Sequence, residues 1–328
     1  MRSQLFQRRF VIVSGKGGVG RSTVSAALGI IAARYGLRTC VVQLNTRDDI
    51  GAMFSIDADS YEPVALDPRT PLFATMLRPA PALREYGLMK LRWKALQSLV
   101  FDNEVMRRLL AMVPGMNELV LLGKAWYMEE QQRTDSLGPF WDLLVIDAPA
   151  TGHGVSLLRL PQVILDAVPV GPMAEDARHM RDLLADPRRT ALHVVTLPQE
   201  LPATEALELA DQARNLLAVP TGYMFVNQVL PALLSDSLRI RAQQAALYTQ
   251  DPLAKAALYN VHAYEQWRGA QQEQVRHLQR ASALPLVELP HLFRPIGRAE
   301  LDHLAEVAEA GMEGADARRQ AIQPQGPR

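Results

Sequence analysis

The sequence predicts an α/β fold with a doubly wound, mostly parallel sheet. Three observations carry this: short apolar runs rich in β-branched residues, helical stretches between them, and a glycine-rich loop joining the first run to the first helix. Phe10–Ser14 reads as a buried strand, and Ser22–Tyr35 has helical composition and stops at Gly36. Thr39–Leu44 is a second buried strand, so the chain opens with a β-loop-α-β unit, which favours parallel pairing. Leu72–Leu77, Asp142–Ile146, Ala191–Leu197, Tyr223–Val229 and Leu286–Leu289 follow as strands, and Leu253–Ala281 as a long helix. Residues 80–135 read as a helical insertion, broken at Val113-Pro-Gly115. From Gly311 the chain is mostly Gly, Ala, Gln, Pro and Arg, and is expected to be disordered through 328, leaving one domain over 1–310.

Composition narrows the class. The 328 residues carry 35 basic and 35 acidic side chains, without the basic excess usual in a nucleic-acid binder. The single cysteine, Cys40, lies in an apolar run and reads as a small buried hydrophobe. It provides neither an internal disulfide nor a paired-cysteine metal clip. No apolar run reaches the roughly 18 residues needed to span a bilayer, and no secretory signal precedes the first strand. Cytoplasmic residence without nucleic-acid binding or stable membrane insertion is the expectation.

The chemistry concentrates at Gly15-Lys16-Gly17-Gly18-Val19-Gly20-Arg21-Ser22-Thr23, between a strand and a helix. That context is what a phosphate-binding loop requires. Glycines let backbone N–H groups turn inward around phosphate oxygens, and the helix N-terminus adds its positive end. Ser22 stands at the hydroxyl position for Mg²⁺. Asp147 closes a buried strand, where a carboxylate paired with such a loop holds the Mg²⁺ shell, through water in this reading. ATP and Mg²⁺ are the implied ligands.

Two residues refine the loop. Lys16 follows its first glycine, as in the deviant Walker A class that includes the ArsA, MinD, ParA and nitrogenase iron protein ATPases. By that resemblance, Lys16 crosses to the nucleotide of a facing subunit, implying a homodimer or a heterodimer with a paralogue. The usual loop lysine is replaced by Arg21, whose planar guanidinium keeps the charge and changes its shape.

Asp147-Ala-Pro-Ala-Thr-Gly-His153 with Leu157-Leu-Arg-Leu-Pro161 resembles the switch II signature of the ArsA family, which holds arsenite-pump ATPases and ATPases that deliver tail-anchored membrane proteins. Pro114-Gly-Met-Asn-Glu118, Leu72–Pro79 with Ala82–Tyr86, Val195–Glu200 with Thr204-Glu205, and Leu286–Pro290 resemble further family segments. Val226-Asn227-Gln228 resembles the strand end whose asparagine, here Asn227, reads the adenine edge. The resemblance runs from about 8 to 310. His153 reads as a switch residue with a structural hydrogen bond.

The pattern breaks at switch I. The family's Asp-Pro-Ala-His carries an aspartate that positions or activates water, whereas this chain has Asn45-Thr-Arg-Asp48. An amide takes no proton at neutral pH, and losing such a group commonly costs roughly 10²–10⁴-fold in rate. Asp48 and Asp49 are out of register. Asn45 and Arg21 together leave two readings open: a slow ATPase, or a binding-only regulatory or scaffold subunit beside a competent paralogue. Bacterial paired members of the family also carry an altered switch I. An arsenite pump subunit holds trivalent arsenic on several thiolates, and Cys40 alone cannot supply them. A positioning ATPase of ParA or MinD type calls for a basic face or a terminal amphipathic helix, and neither is evident in the sequence.

Six of the twelve methionines fall between Met76 and Met128, in the insertion and the strand before it. They read either as a groove for a hydrophobic protein client or as filling of an ordinary helical core.

Overall fold

The computed structural model describes residues 6–46, 50–90, 115–134, 138–149 and 154–322. The sequence expectations for Asp48, Asp49, Val113, Pro114 and Thr151–His153 lie outside these residues, as does 323–328.

Eight strands form one sheet: β1 (Phe10–Gly15), β2 (Thr39–Leu44), β3 (Val64–Asp67), β4 (Leu72–Leu77), β5 (Leu143–Asp147), β6 (Thr190–Thr196), β7 (Thr221–Val229) and β8 (Leu286–Pro290). Their order is β3-β4-β2-β5-β1-β6-β7-β8. Every pairing is parallel except β3 with β4. The edge strand β3 was not visible in the sequence, because Val-Ala-Leu-Asp is short and pairs antiparallel through a register shift.

Helices cover both faces. On one side lie α1 (Arg21–Arg34) and α10 (Arg298–Ile322). On the other lie α4 (Met116–Glu130), α5 (Gly154–Ala167), α6 (Pro172–Ala185) and α7 (Glu200–Asn215). The two cores follow from the strand period of two. Phe10, Ile12, Cys40, Val42, Leu144 and Ile146 enter the layer under α4–α7. Their neighbours Val11, Val13, Val41, Leu143 and Val145 enter the layer under α1 and α10. Strands buried on both faces explain why these runs are continuously apolar rather than alternating. Four further helices complete the described chain: α2 (Ile50–Met53), α3 (Pro79–Lys90), α8 (Asp236–Tyr248) and α9 (Pro252–Ala281).

Helices α3 and α4 belong to the insertion and pack on each other. The pair is tied to the core by polar contacts. Glu129, almost fully buried on α4, pairs with Arg9 at 2.7 Å and with Arg189, the residues just before β1 and β6. Lys124 of α4 and the Tyr61 hydroxyl both donate to Glu85 of α3, at 2.7 and 2.6 Å. The Tyr86 hydroxyl donates to Asp176 of α6 at 2.9 Å. Met76, Met116 and Met128 all lie in the buried core. Met128 also borders a cavity beside the start of β2 and β5, and Met106 and Met112 lie outside the described residues.

The C-terminal expectation requires correction. The chain does not become disordered at Gly311, for α10 continues to Ile322 with Met312 and Ala315 buried. Leu301, Leu304, Ala305, Ala308, Met312 and Ala315 recur at helical spacing and form one stripe against the sheet. Glycine and alanine content hid that stripe. A Cβ on Gly311 would stand 2.8 Å from Val287 of β8, so the glycine lets the helix sit close to the sheet.

Candidate functional site

The parallel strands bring the sequence-predicted residues to one edge. Gln43 of β2 and Val13 of β1 both stand opposite Asp147 in register. Gly15, Asn45 and Asp147 therefore emerge together at the carboxyl ends of three adjacent strands, where open α/β sheets place ligands.

The loop from Gly15 to Gly20 leaves Lys16, Gly17 and Gly18 exposed and folds Val19 into the core. Gly18 and Gly20 adopt left-handed φ of 80° and 90°, which turns the backbone back towards α1. Gly20 caps α1 without a side-chain bond to its first turn, so the first-turn N–H groups face the loop. This is the arrangement that receives an anion. Thr23 lies half-buried in that first turn.

Ser22 and Asp147 meet across the sheet edge. The Ser22 hydroxyl donates to Asp147 Oδ2 at 2.7 Å, with both residues buried. Mg²⁺ keeps several waters and takes one or two protein ligands together with phosphate oxygens. A hydroxyl beside a strand-end carboxylate, at the mouth of a glycine loop, fits that donor set.

Arg21 is also buried, and its guanidinium donates to the Ala148 carbonyl at 2.5 Å. The residue in the loop-lysine position is thus attached to the segment that follows β5. Asn45 is exposed, adopts a left-handed φ of 48°, and donates its backbone N–H to Leu77 O at 2.9 Å. Asparagine tolerates this conformation better than most residues.

Asn227 lies beneath the loop. Its side-chain amide donates to Val19 O at 2.9 Å, and its oxygen accepts from Gln228 N at 2.9 Å. A Cβ on Gly20 would stand 2.2 Å from that amide nitrogen. The side chain expected to face a base therefore braces the phosphate loop, keeping one further amide proton.

The sequence reading missed one contact and one residue. Lys16 Nζ pairs with Glu205 of α7 in the same chain at 2.6 Å, with both side chains more than a third exposed. Such a pair contributes about 0–1 kcal/mol, little enough to yield to a phosphate. Gln43 is fully buried and accepts from Ile50 N at 3.2 Å, tying β2 to the start of α2. The signal for Gln43 was present, as the one amide in Thr-Cys-Val-Val-Gln-Leu.

The chain is similar to known proteins over much of its length. Residues 8–169 match the model of the anion-transporting ATPase family. The chain is 26% identical over 333 residues to ATPase BagA of Mycobacterium tuberculosis, covering 94% of this chain and 95% of that protein. It is 24% identical over 292 residues to ATPase GET3B of Arabidopsis thaliana, covering 74% and 70%. Against the arsenical pump-driving ATPase of Escherichia coli it is 26% identical over 269 residues, covering 76% of this chain and 44% of that protein.

Proposed function

The chain belongs to the ArsA-type anion-transporting ATPase family, and from that premise we propose that it binds Mg–ATP at Gly15–Thr23 and acts as a nucleotide-dependent dimeric switch. The observation that carries this is the Ser22–Asp147 contact at 2.7 Å at the mouth of the glycine loop. Loop amides and the α1 N-terminus would hold the phosphates, with Ser22 as a ligand to Mg²⁺ and Asp147 holding a water of its shell. Mg²⁺ held there would supply charge neutralisation to the phosphates. Asn227 keeps the loop in shape and presents its remaining amide proton to the base.

The exposure of Lys16 supports the role that the resemblance gives it. Its partner Glu205 is exposed too. Exchanging that weak pair for a phosphate across a dimer interface favours closure when nucleotide is present. Hydrolysis is slow in this reading, because Asn45 orients no water as a base would and Arg21 is engaged with Ala148 O. The switch operates in the cytoplasm on a hydrophobic protein client.

Sedimentation of the purified chain tests the switch. With Mg²⁺ and a non-hydrolysable ATP analogue the wild-type mass doubles, and Lys16→Ala stays monomeric while binding nucleotide. Doubling in both proteins refutes the Lys16 role. A monomer of fixed mass that binds nucleotide and lacks turnover favours the second reading, a scaffold subunit beside a competent paralogue, which Asn45 and Arg21 specifically support.

A further inference from the structure

A second cavity, of about 1170 Å³, opens at the other end of the same strands. Arg38 and Asp142, directly before β2 and β5, both line it. Six strand residues separate Arg38 from Asn45, placing this cavity roughly 20 Å from the phosphate loop. Ligand cavities are usually roughly 300–1,000 Å³, so a small organic molecule fits with room to spare.

Arg38, Lys124 and Arg133 line the cavity together with the carboxylates Glu62, Glu130 and Asp142, and two of the cations are already paired. Lys124 donates to Glu85 at 2.7 Å. Arg133 pairs with Asp142 at 3.4 Å. Asp142 Oδ2 also accepts the backbone N–H of Arg38 at 2.9 Å, which engages that carboxylate without reaching the Arg38 guanidinium. Among the described residues, the Arg38 guanidinium has no hydrogen-bond or ion-pair partner, and its Nε is buried.

What holds Arg38 is aromatic. Its guanidinium carbon lies 4.3 Å from the Phe140 ring centre, 5.0 Å from Phe73 and 5.1 Å from Trp141. Trp141 is 3% exposed and meets both phenylalanines edge-on, so the cluster is packed. Ring contact engages the face of a guanidinium and leaves the donors around its edge directed outward. The terminal amino groups of this fork meet no acceptor among the described residues, and they match a carboxylate or phosphate, which accepts two parallel N–H bonds. Tyr127, 39% exposed and also lining the cavity, offers an apolar surface to the body of such a molecule.

We propose that this cavity is a binding site for a small organic anion, a carboxylate or phosphate monoester with a flat apolar body, held by Arg38. The site lies at the opposite end of β2 and β5 from the nucleotide site.

Calorimetric titration of the full chain with benzoate and with phenyl phosphate tests the assignment, with Mg–ATP saturating so that the phosphate loop cannot compete. Both probes bind saturably, and neutral benzyl alcohol binds at least about tenfold more weakly. Arg38→Gln weakens both probes at least about tenfold with Mg–ATP affinity unchanged, and Arg38→Lys, which keeps charge without the planar fork, weakens them by several-fold. Trp141 emission changes on binding in the wild type. Absence of saturable binding, equal affinity in Arg38→Gln, or equal affinity for benzyl alcohol overturns the proposal. Binding of a glutamate-rich peptide while both probes fail also overturns it, in favour of a protein partner.

Discussion

Gly20 has two constraints that no side chain satisfies: a φ of 90° and an amide nitrogen 2.2 Å from where its Cβ would be. Gly20→Ala therefore strains the loop and displaces Asn227, whose amide holds Val19 O. A strained backbone position costs about 1–3 kcal/mol. The expected outcome is a stability loss of that order in urea denaturation, with nucleotide affinity falling at least about tenfold, since both effects act on the same loop. Wild-type affinity in a folded Gly20→Ala protein would show that the loop has another shape. At this scale the sequence was informative where chemistry is local. Gly15–Thr23 and Asp147 stand out from their own neighbours. The Lys16–Glu205 and Asn227–Val19 contacts join residues 189 and 208 positions apart, and nothing in either segment alone predicts its partner.

Among the elements, β6 carries a group whose titration reports on the sheet. His193 is fully buried, accepts the Tyr223 N–H at 3.0 Å, and lies against the rings of Tyr223 and Phe225. Burial first, and then the charge of Arg8, push its pKa down to about 3 from the usual 6.5. The folded state thus holds this ring neutral while the unfolded chain protonates it below pH 6.5. Its contribution is complete above pH 6.5 and is lost as pH falls towards 3. Within that window stability declines by up to about 1.4 kcal/mol per pH unit from this group. Denaturation curves between pH 7 and pH 4 should show the decline, and His193→Gln, which keeps an acceptor, should flatten it. Identical slopes in the two proteins would assign the effect elsewhere. Strands such as β6 were legible because burial on both faces makes them continuously apolar. The antiparallel β3 was not, because four residues at a sheet edge carry no such run.

For the molecule as a whole, α10 is the element that composition misjudged. It packs on α1, the helix that begins at the phosphate loop, and on β8. Its stripe runs through Met312, which is fully buried. Met312→Ala is expected to destabilise the fold by about 2–5 kcal/mol, the range for truncating a buried methionine. Denaturant midpoints measure this, and an unchanged midpoint would mean that the C-terminal turns contribute nothing. The same packing closes the layer over α1 on the side away from the insertion. The doubly wound arrangement itself could be read from alternating strands and helices, whereas the extent of α10 required periodicity to be followed through a Gly- and Ala-rich stretch.

Binding of Mg–ATP at the junction of β1, β5 and α1 is the claim on which the rest depends. Calorimetric titration of the purified chain with ATP, with and without Mg²⁺, tests it most directly, alongside Ser22→Ala. The account predicts one ATP per chain, tighter with Mg²⁺, and loss of the Mg²⁺ enhancement in Ser22→Ala, because that variant removes the hydroxyl held at 2.7 Å from Asp147. No saturable ATP binding, or an Mg²⁺ enhancement that survives in Ser22→Ala, would contradict it.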